Sequence, residues 1–335
     1  MSYTDTMHLL EKEARRLSIP FVGNFELTYR CNLHCPFCYT LDRDRQPREL
    51  STQQWKRIFS EMSSLGLTRA TFTGGEVFVR SDLEELYCTT YDLGVRITLL
   101  TNGLLIKEKD CQYLKKRLPE GVSISVYGAS DADYHRITGD ADGFQKVKAS
   151  IALLKQYGIP VSLKAPALPA LKEQLPDIRQ FACDEGLKIT LTKYISPTSF
   201  NKGPDFRLTP DEVSYYAALF DNANDIMGGV TESDNCCSIA SCNAGKGRFA
   251  VTAHGNMMGC ICYPEIQVPI GDGPCSAALE TLRQRLRAKT EPCTDCLSCP
   301  SRSHCGKCGG LNYMETGCTW KCSEYRKELA KRHLI

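Results

Sequence analysis

The stretch Cys31-Asn-Leu-His-Cys35-Pro-Phe-Cys38 constrains this chain more than any other segment. It places three thiols with C-x3-C-x2-C spacing just after a strand-like run. So short a loop can bring three thiolates to three corners of a four-iron, four-sulfur cluster, which ordinarily takes four cysteine ligands. An iron left without a protein ligand keeps a coordination position free, as catalytic metal sites do and closed structural sites do not. The competing reading is a structural zinc loop. Zinc sites favour paired C-x2-4-C units, and a lone triplet suits them poorly.

Cysteine usage elsewhere points the same way. The chain has 335 residues and nineteen cysteines, three in this loop, three scattered (Cys88, Cys111, Cys183) and thirteen within residues 236–322. Its start lacks the basic-then-apolar pattern of an export signal. No apolar run approaches the ~18 residues of a membrane span. A cytoplasmic protein is expected, in which thiols stay reduced and serve metals better than disulfides. The scattered three read as buried small hydrophobes. A net charge of +2, with 24% charged residues, shows no basic stripe for nucleic acid.

From residue 24 to about 195 short apolar runs alternate with amphipathic stretches. The strand candidates are 24–29, 69–73, 96–101, 122–126, 160–164 and 188–194, and the alternation argues for repeated βα units around a parallel sheet. Ser51-Thr-Gln-Gln54 is a capping box opening a helix to about Ser64, and Gly94 and Gly158 mark helix ends. The distinctive residues follow strands, where α/β barrels collect their active sites: the cysteine triplet, Gly74-Gly75-Glu76, Thr101-Asn102-Gly103, Ser125-Val-Tyr127, Lys164, and Lys193-Tyr194. These lysines and Tyr194 are expected to face the barrel mouth. A doubly wound sheet is the alternative that the pattern leaves open.

The triplet, followed one βα unit later by Gly74-Gly75-Glu76, resembles the signature of the radical S-adenosylmethionine (SAM) enzymes. The resemblance implies an α/β fold, a partial (β/α)6 TIM-like barrel, with a cluster on Cys31, Cys35 and Cys38 whose free iron chelates SAM. It assigns cofactor contacts to Phe37 (adenine), Gly74 and Gly75 (methionine ammonium), with Glu76 ordering that loop. Ser125 and Arg136 match ribose and carboxylate contacts, and Asn102 a pocket wall. Two departures stand out: Val77 replaces the family's usual proline, and Tyr127 replaces an aspartate. The cofactor's chemistry is reductive cleavage to a 5′-deoxyadenosyl radical that abstracts hydrogen from carbon, while the protein orients and shields.

Past a bridging helix at 205–230, opened by the capping box Thr209-Pro210-Asp-Glu212, the cysteine spacing becomes specific. Cys236-x5-Cys242-x12-Gly255-x4-Cys260 precedes Cys296-x2-Cys299-x5-Cys305-x2-Cys308, Cys318 and Cys322. This resembles the SPASM domain, which carries two auxiliary four-iron clusters on C-x9-15-G-x4-C, C-x2-C-x5-C-x3-C and a last cysteine. Only the Cys305–Cys308 gap departs. The resemblance implies one cluster on Cys236, Cys242, Cys260 and Cys308, and a second on Cys296, Cys299, Cys305 and Cys322 (or Cys318). Paired C-x2-C units also fit a zinc ribbon, which leaves the triplet and the G-x4-C step unexplained.

The expected layout is a helical extension at 1–20, the barrel at 21–204, the bridge, and a small cluster-stapled SPASM domain at 231–335 with a C-terminal helix. Three [4Fe-4S] clusters and SAM are the implied cofactors. The implied function is maturation of a ribosomal peptide by oxidation or crosslinking, thioether or carbon–carbon. A peptide epimerase with a cysteine hydrogen donor, Cys262, is the alternative, followed by a small-molecule radical dehydrogenase or sulfatase-type maturase. Expected partners are a precursor peptide, a flavodoxin- or ferredoxin-like electron donor, and a separate leader-binding protein, because about twenty residues precede the first strand. Nucleic acid and membrane are not expected partners.

Overall fold

The computed structural model describes residues 3–38, 40, 48–197, 207–220, 242–289, 294–303 and 305–335. Helix α1 (Tyr3–Leu17) leads into β1 (Val22–Thr28), α2 (Thr52–Ser64), β2 (Arg69–Gly74), α3 (Leu83–Asp92), β3 (Arg96–Thr101), α4 (Glu108–Lys116) and β4 (Gly121–Ser125). Then come α5 (Asp131–Thr138), α6 (Gly143–Gln156), β5 (Val161–Pro166), α7 (Leu175–Asp184), β6 (Lys188–Thr192) and α8 (Pro210–Phe220). The C-terminal region adds β7 (Arg248–Val251), β8 (Asn256–Met258), β9 (Gln267–Pro269), α9 (Cys275–Arg287), α10 (Thr294–Leu297), α11 (Gly309–Thr316) and α12 (Glu324–Lys331). Among the described residues no helix is long and apolar enough to cross a membrane.

Strands β1 to β6 pair in parallel and in sequence order, as a partial barrel requires and a doubly wound sheet does not. Strand geometry sends alternate residues to opposite faces. One face is apolar: Phe72, Ile97, Leu99, Val122, Ile124 and Leu163 are fully buried. At the joint, Phe25 meets the rings of Phe59, Phe249 and Trp55 at 5.0, 5.7 and 6.2 Å. The alternate positions carry Thr71, Thr73, Thr98, Ser123, Ser125, Ser162 and Lys164, mostly half-buried. The face that carries these side chains is therefore largely polar among the described residues.

Both capping boxes form. Ser51 accepts from Gln54 N at 3.3 Å and gives its own N–H to the Gln54 side chain at 3.0 Å. Thr209 and Glu212 exchange bonds of 3.3 and 2.9 Å at the start of α8. Gly94 and Gly158 take φ of 83° and 69° where α3 and α6 end.

The cysteine-rich region does not stand apart from the barrel. Strand β7 pairs in parallel with the free edge of β1, Val22 with Arg248 through Phe25 with Val251, and β8 and β9 follow antiparallel. One sheet runs β6-β5-β4-β3-β2-β1-β7-β8-β9. The short strands of this segment thus gain a ready-made hydrogen-bonding edge, and the barrel edge is covered. Gly255 turns the β7–β8 hairpin with φ of 80°, which is why that position in the spacing is a glycine.

Candidate active site

The cysteine loop begins where β1 runs out of sheet partners, and polar contacts pin both ends of the turn. Glu49 accepts from the Thr28 hydroxyl at 2.8 Å and from Tyr29 N at 2.7 Å. The Tyr29 hydroxyl donates to buried Glu26 at 2.7 Å. Asn102, at the end of β3, donates to Asn32 Oδ1 at 2.8 Å and lies 3.8 Å from Cys31 Sγ. Leu33 N donates to Cys31 Sγ at 3.4 Å, and Thr40 Oγ1 sits 3.0 Å from Cys38 Sγ.

All three thiols line one cavity of about 580 Å³ at the C-terminal ends of the barrel strands. Phe37, Gly74, Gly75, Asn102 and Ser125 share its wall, and so do Tyr127 and Lys164. Burial raises the pKa of Cys31, and burial with the neighbouring thiolates of Cys38 and Cys31 pushes Cys35 up to about 12. Thiolates that share one cavity wall need positive charge to coexist. Among the described residues no three His, Cys, Asp or Glu side chains converge on one metal ion. Three thiols on one cavity wall can each take one corner of a cluster.

The Gly-Gly-Glu step is built on backbone contact. A Cβ on Gly74 would lie 2.2 Å from the Thr28 carbonyl oxygen, and one on Gly75 2.3 Å from that of Arg30. Gly75 N and Glu76 N donate to Thr28 O and Arg30 O at 2.7 and 3.0 Å. The glycines are thus demanded by the close approach of β2 to the start of the cysteine loop. Glu76 is fully buried, off the cavity wall, and accepts from Thr101 Oγ1, Asn102 N and Phe78 N at 2.7, 2.7 and 3.0 Å. Its carboxylate fastens the turn that presents Asn102. Burial nonetheless leaves its pKa above the ordinary carboxyl range.

Ser125 lies beside Tyr127, whose ring is tilted against Phe37 at 5.5 Å between centroids. Arg136 does not line the same cavity. Its guanidinium donates to Ala170 O at 2.8 Å and meets Asp133 at 3.4 Å, and it borders a separate pocket of about 290 Å³ with Pro36 and Phe37. Lys164, next to Ser125 in the β4–β5 register, is held below the usual lysine range by burial alone. Tyr194 turns from the mouth to donate to Glu315 at 2.7 Å, because Glu315 supplies a buried acceptor there.

In the C-terminal region the thiols fall into two groups. Cys308 is pushed up to about 11 by burial and then by Cys260 and Cys242. Cys322 is raised by burial, with Cys305 and Cys299 adding to the rise. Backbone N–H groups of Cys262, Lys307 and Leu311 donate to Cys260, Cys305 and Cys308 Sγ at 3.4, 3.5 and 3.4 Å. The same bond recurs at Cys31, and hydrogen bonds to sulfur are a feature of cluster ligands. Cys296 is buried nearby in sequence, and Cys236 lies outside the described residues. Cys318 N bonds the Thr316 hydroxyl at 3.2 Å. Cys262 packs against Cys260 and Gly310 and is not on the wall of the barrel cavity. Of the scattered cysteines Cys111 is buried and Cys88 half-buried, whereas Cys183 is exposed on α7 with its sulfur 3.4 Å from Arg179.

Sequence reasoning passed over Glu49, Asn32, Thr40 and the cavity role of Tyr127. Glu49 lies 20 residues from the amide that it holds, and no spacing rule announces such a contact.

The chain is similar in sequence to curated proteins and in fold to solved structures. PqqA peptide cyclase of Bradyrhizobium diazoefficiens is 28% identical over 235 residues, 69% of this chain and 57% of that protein. PqqA peptide cyclase of Rhodopseudomonas palustris is 32% identical over 52% of this chain and 47% of its own length. The matches thus span about half the length of these curated relatives. In fold, Streptococcus suis SuiB bound to S-adenosylmethionine superposes with a TM-score of 0.68 at 16% identity, over 96% of this chain and 80% of that one. The anSMEcpe structure with bound AdoMet and Cp18Cys peptide gives 0.71 at 16% identity, over 94% and 96%. Residues 25–182 match the family model of the radical SAM superfamily, a family that binds SAM and a [4Fe-4S] cluster.

Proposed function

We propose that this protein is an enzyme that cleaves SAM reductively and abstracts a hydrogen atom from a peptide, giving an oxidised or crosslinked product. The observation that carries the reading is the convergence of Cys31, Cys35 and Cys38 on one cavity at the barrel mouth. When bound, the cluster and SAM supply the 5′-deoxyadenosyl radical. The chain's own residues do the rest. Asn102 and Glu49 brace the cysteine loop, the Gly74–Gly75 backbone sets the approach of β2, and Phe37, Ser125 and Tyr127 wall the cavity. The curated relatives are peptide cyclases, and SuiB has also been solved with its precursor peptide SuiA, which supports a peptide substrate. A ferredoxin- or flavodoxin-like protein is the proposed electron source.

Residues 231–335 are proposed to act as a SPASM unit with two auxiliary clusters. The first takes Cys236, Cys242, Cys260 and Cys308, and the second Cys296, Cys299, Cys305 and Cys322. The electrostatic contact of Cys322 with Cys305 and Cys299 favours it over Cys318 as the last ligand. Alanine at Cys322 is therefore expected to remove about four irons per chain, and alanine at Cys318 none. The reverse outcome in an anaerobic iron assay would exchange the two.

Clusters with four thiolates have no open iron, so they suit accepting an electron from a substrate radical. Cys262, packed on Cys260, is poorly placed to hand a hydrogen atom into the barrel cavity. The expected product has lost two hydrogens per turnover. An unchanged mass in water, with one deuteron gained in heavy water and that gain abolished by Cys262→Ala, would make the enzyme an epimerase instead.

A further inference from the structure

Helix α12 buries a guanidinium beside the auxiliary cysteines. Arg326 is 2% exposed. Its Nη1 donates to the Cys308 carbonyl at 3.0 Å and to Asn312 Oδ1, and its Nε has no partner among the described residues. Both acceptors are neutral. The buried carboxylate of Glu315, on the neighbouring helix α11, is taken by Arg207 and the Tyr194 hydroxyl. No carboxylate pairs with Arg326 among the described residues.

A buried, uncompensated charge is strongly unfavourable, so a fold that keeps one has an anion near it. The anionic candidates around Arg326 are thiolates. Arg326 bonds the carbonyl of Cys308, and its backbone N–H donates at 3.2 Å to Ser323, the α12 N-cap that directly follows Cys322, so it sits between residues of the two cysteine groups. A four-iron core on four thiolates is an anion in both redox states and more negative when reduced, so a fixed neighbouring cation favours the reduced state.

We infer that Arg326 is the shared counter-cation of the two auxiliary clusters and raises the reduction potential of both. The inference rests on the proposed function. Each auxiliary couple takes up one electron, and the carbon-centred substrate radical that gives it up loses one, then sheds a proton or is captured by a nucleophile. Arg326 is a positioning and tuning residue here and touches no substrate.

The test is a mediated redox titration of the anaerobically reconstituted full chain, with dithionite as reductant, electron paramagnetic resonance as readout and iron counted in parallel. Arg326→Gln is expected to lower the reduced-to-oxidised ratio of both auxiliary clusters at least tenfold at fixed potential, which is about 59 mV for a one-electron couple. Asn312→Asp, which gives Arg326 a carboxylate and keeps the side-chain shape, should shift both the same way and decides the matter if Arg326→Gln does not fold. Arg326→Lys should stay near wild type, and the cluster on Cys31, Cys35 and Cys38 should not move in any variant. Unchanged auxiliary potentials in Arg326→Gln and Asn312→Asp at full iron content overturn the inference and leave the proposed function standing. An equal shift in Arg326→Lys also overturns it, because hydrogen bonding and not charge would then be the cause. Wild-type protein holding only about four irons, one cluster's worth, would overturn the proposed function itself, and the inference with it.

Discussion

Replacing Cys31, Cys35 and Cys38 together by alanine is expected to lower the iron content from about twelve to about eight per chain and to abolish formation of 5′-deoxyadenosine. The three thiols line one cavity at the end of one short loop, so they act as a unit. The C-terminal thiols are held by different contacts, N–H···S bonds from Lys307 and Leu311 and the neighbourhood of Arg326, none of which involves the first loop. Loss of iron should therefore stop at one cluster. Iron assay and product chromatography under dithionite check this. A triple variant that still makes 5′-deoxyadenosine would show that SAM is cleaved elsewhere.

The second large effect is expected at Glu76, although it does not line the cavity. Glu76→Ala would orphan three buried donors, on Phe78 N, Thr101 Oγ1 and Asn102 N. Each buried unpaired donor costs about 1–3 kcal/mol, and part is recovered by relaxation or water, so a loss on the order of 3–5 kcal/mol is expected. The consequence reaches the metal site, because the freed turn carries Asn102, whose amide braces Asn32 in the cysteine loop. Iron in the first cluster should then be lost at a urea concentration that leaves the auxiliary irons in place. Glu76→Gln keeps the volume but faces the three donors with one acceptor oxygen and an amide nitrogen, so it should fall between. A Glu76→Ala protein with wild-type urea midpoint and iron content would refute this role.

Much of this was legible in the sequence because it is local. Capping boxes at Ser51 and Thr209 and glycines at helix ends work over a few residues, and each formed at the expected place. Strand positions followed from alternation, with boundaries off by one or two residues. The junction between the barrel and the cysteine-rich region was not legible. Strands β7 to β9 are three or four residues long, too short for a period to emerge, and their pairing with β1 is set by contacts more than 200 residues apart. Side-chain direction was also hidden. Arg136 sits where a cofactor carboxylate contact was expected, yet the Ala170 carbonyl and Asp133 hold it outside the cavity wall. Gly74 and Gly75 were legible as a close approach, but the partner turned out to be the backbone at Thr28 and Arg30.

The cavity lined by Cys31, Cys35 and Cys38 is proposed to split SAM by one-electron chemistry. This is tested most directly on the wild-type chain, reconstituted anaerobically with iron and sulfide and given SAM and dithionite. The expected result is 5′-deoxyadenosine and methionine in equal amounts, absent without reductant. A fully iron-loaded protein that yields neither product would contradict it.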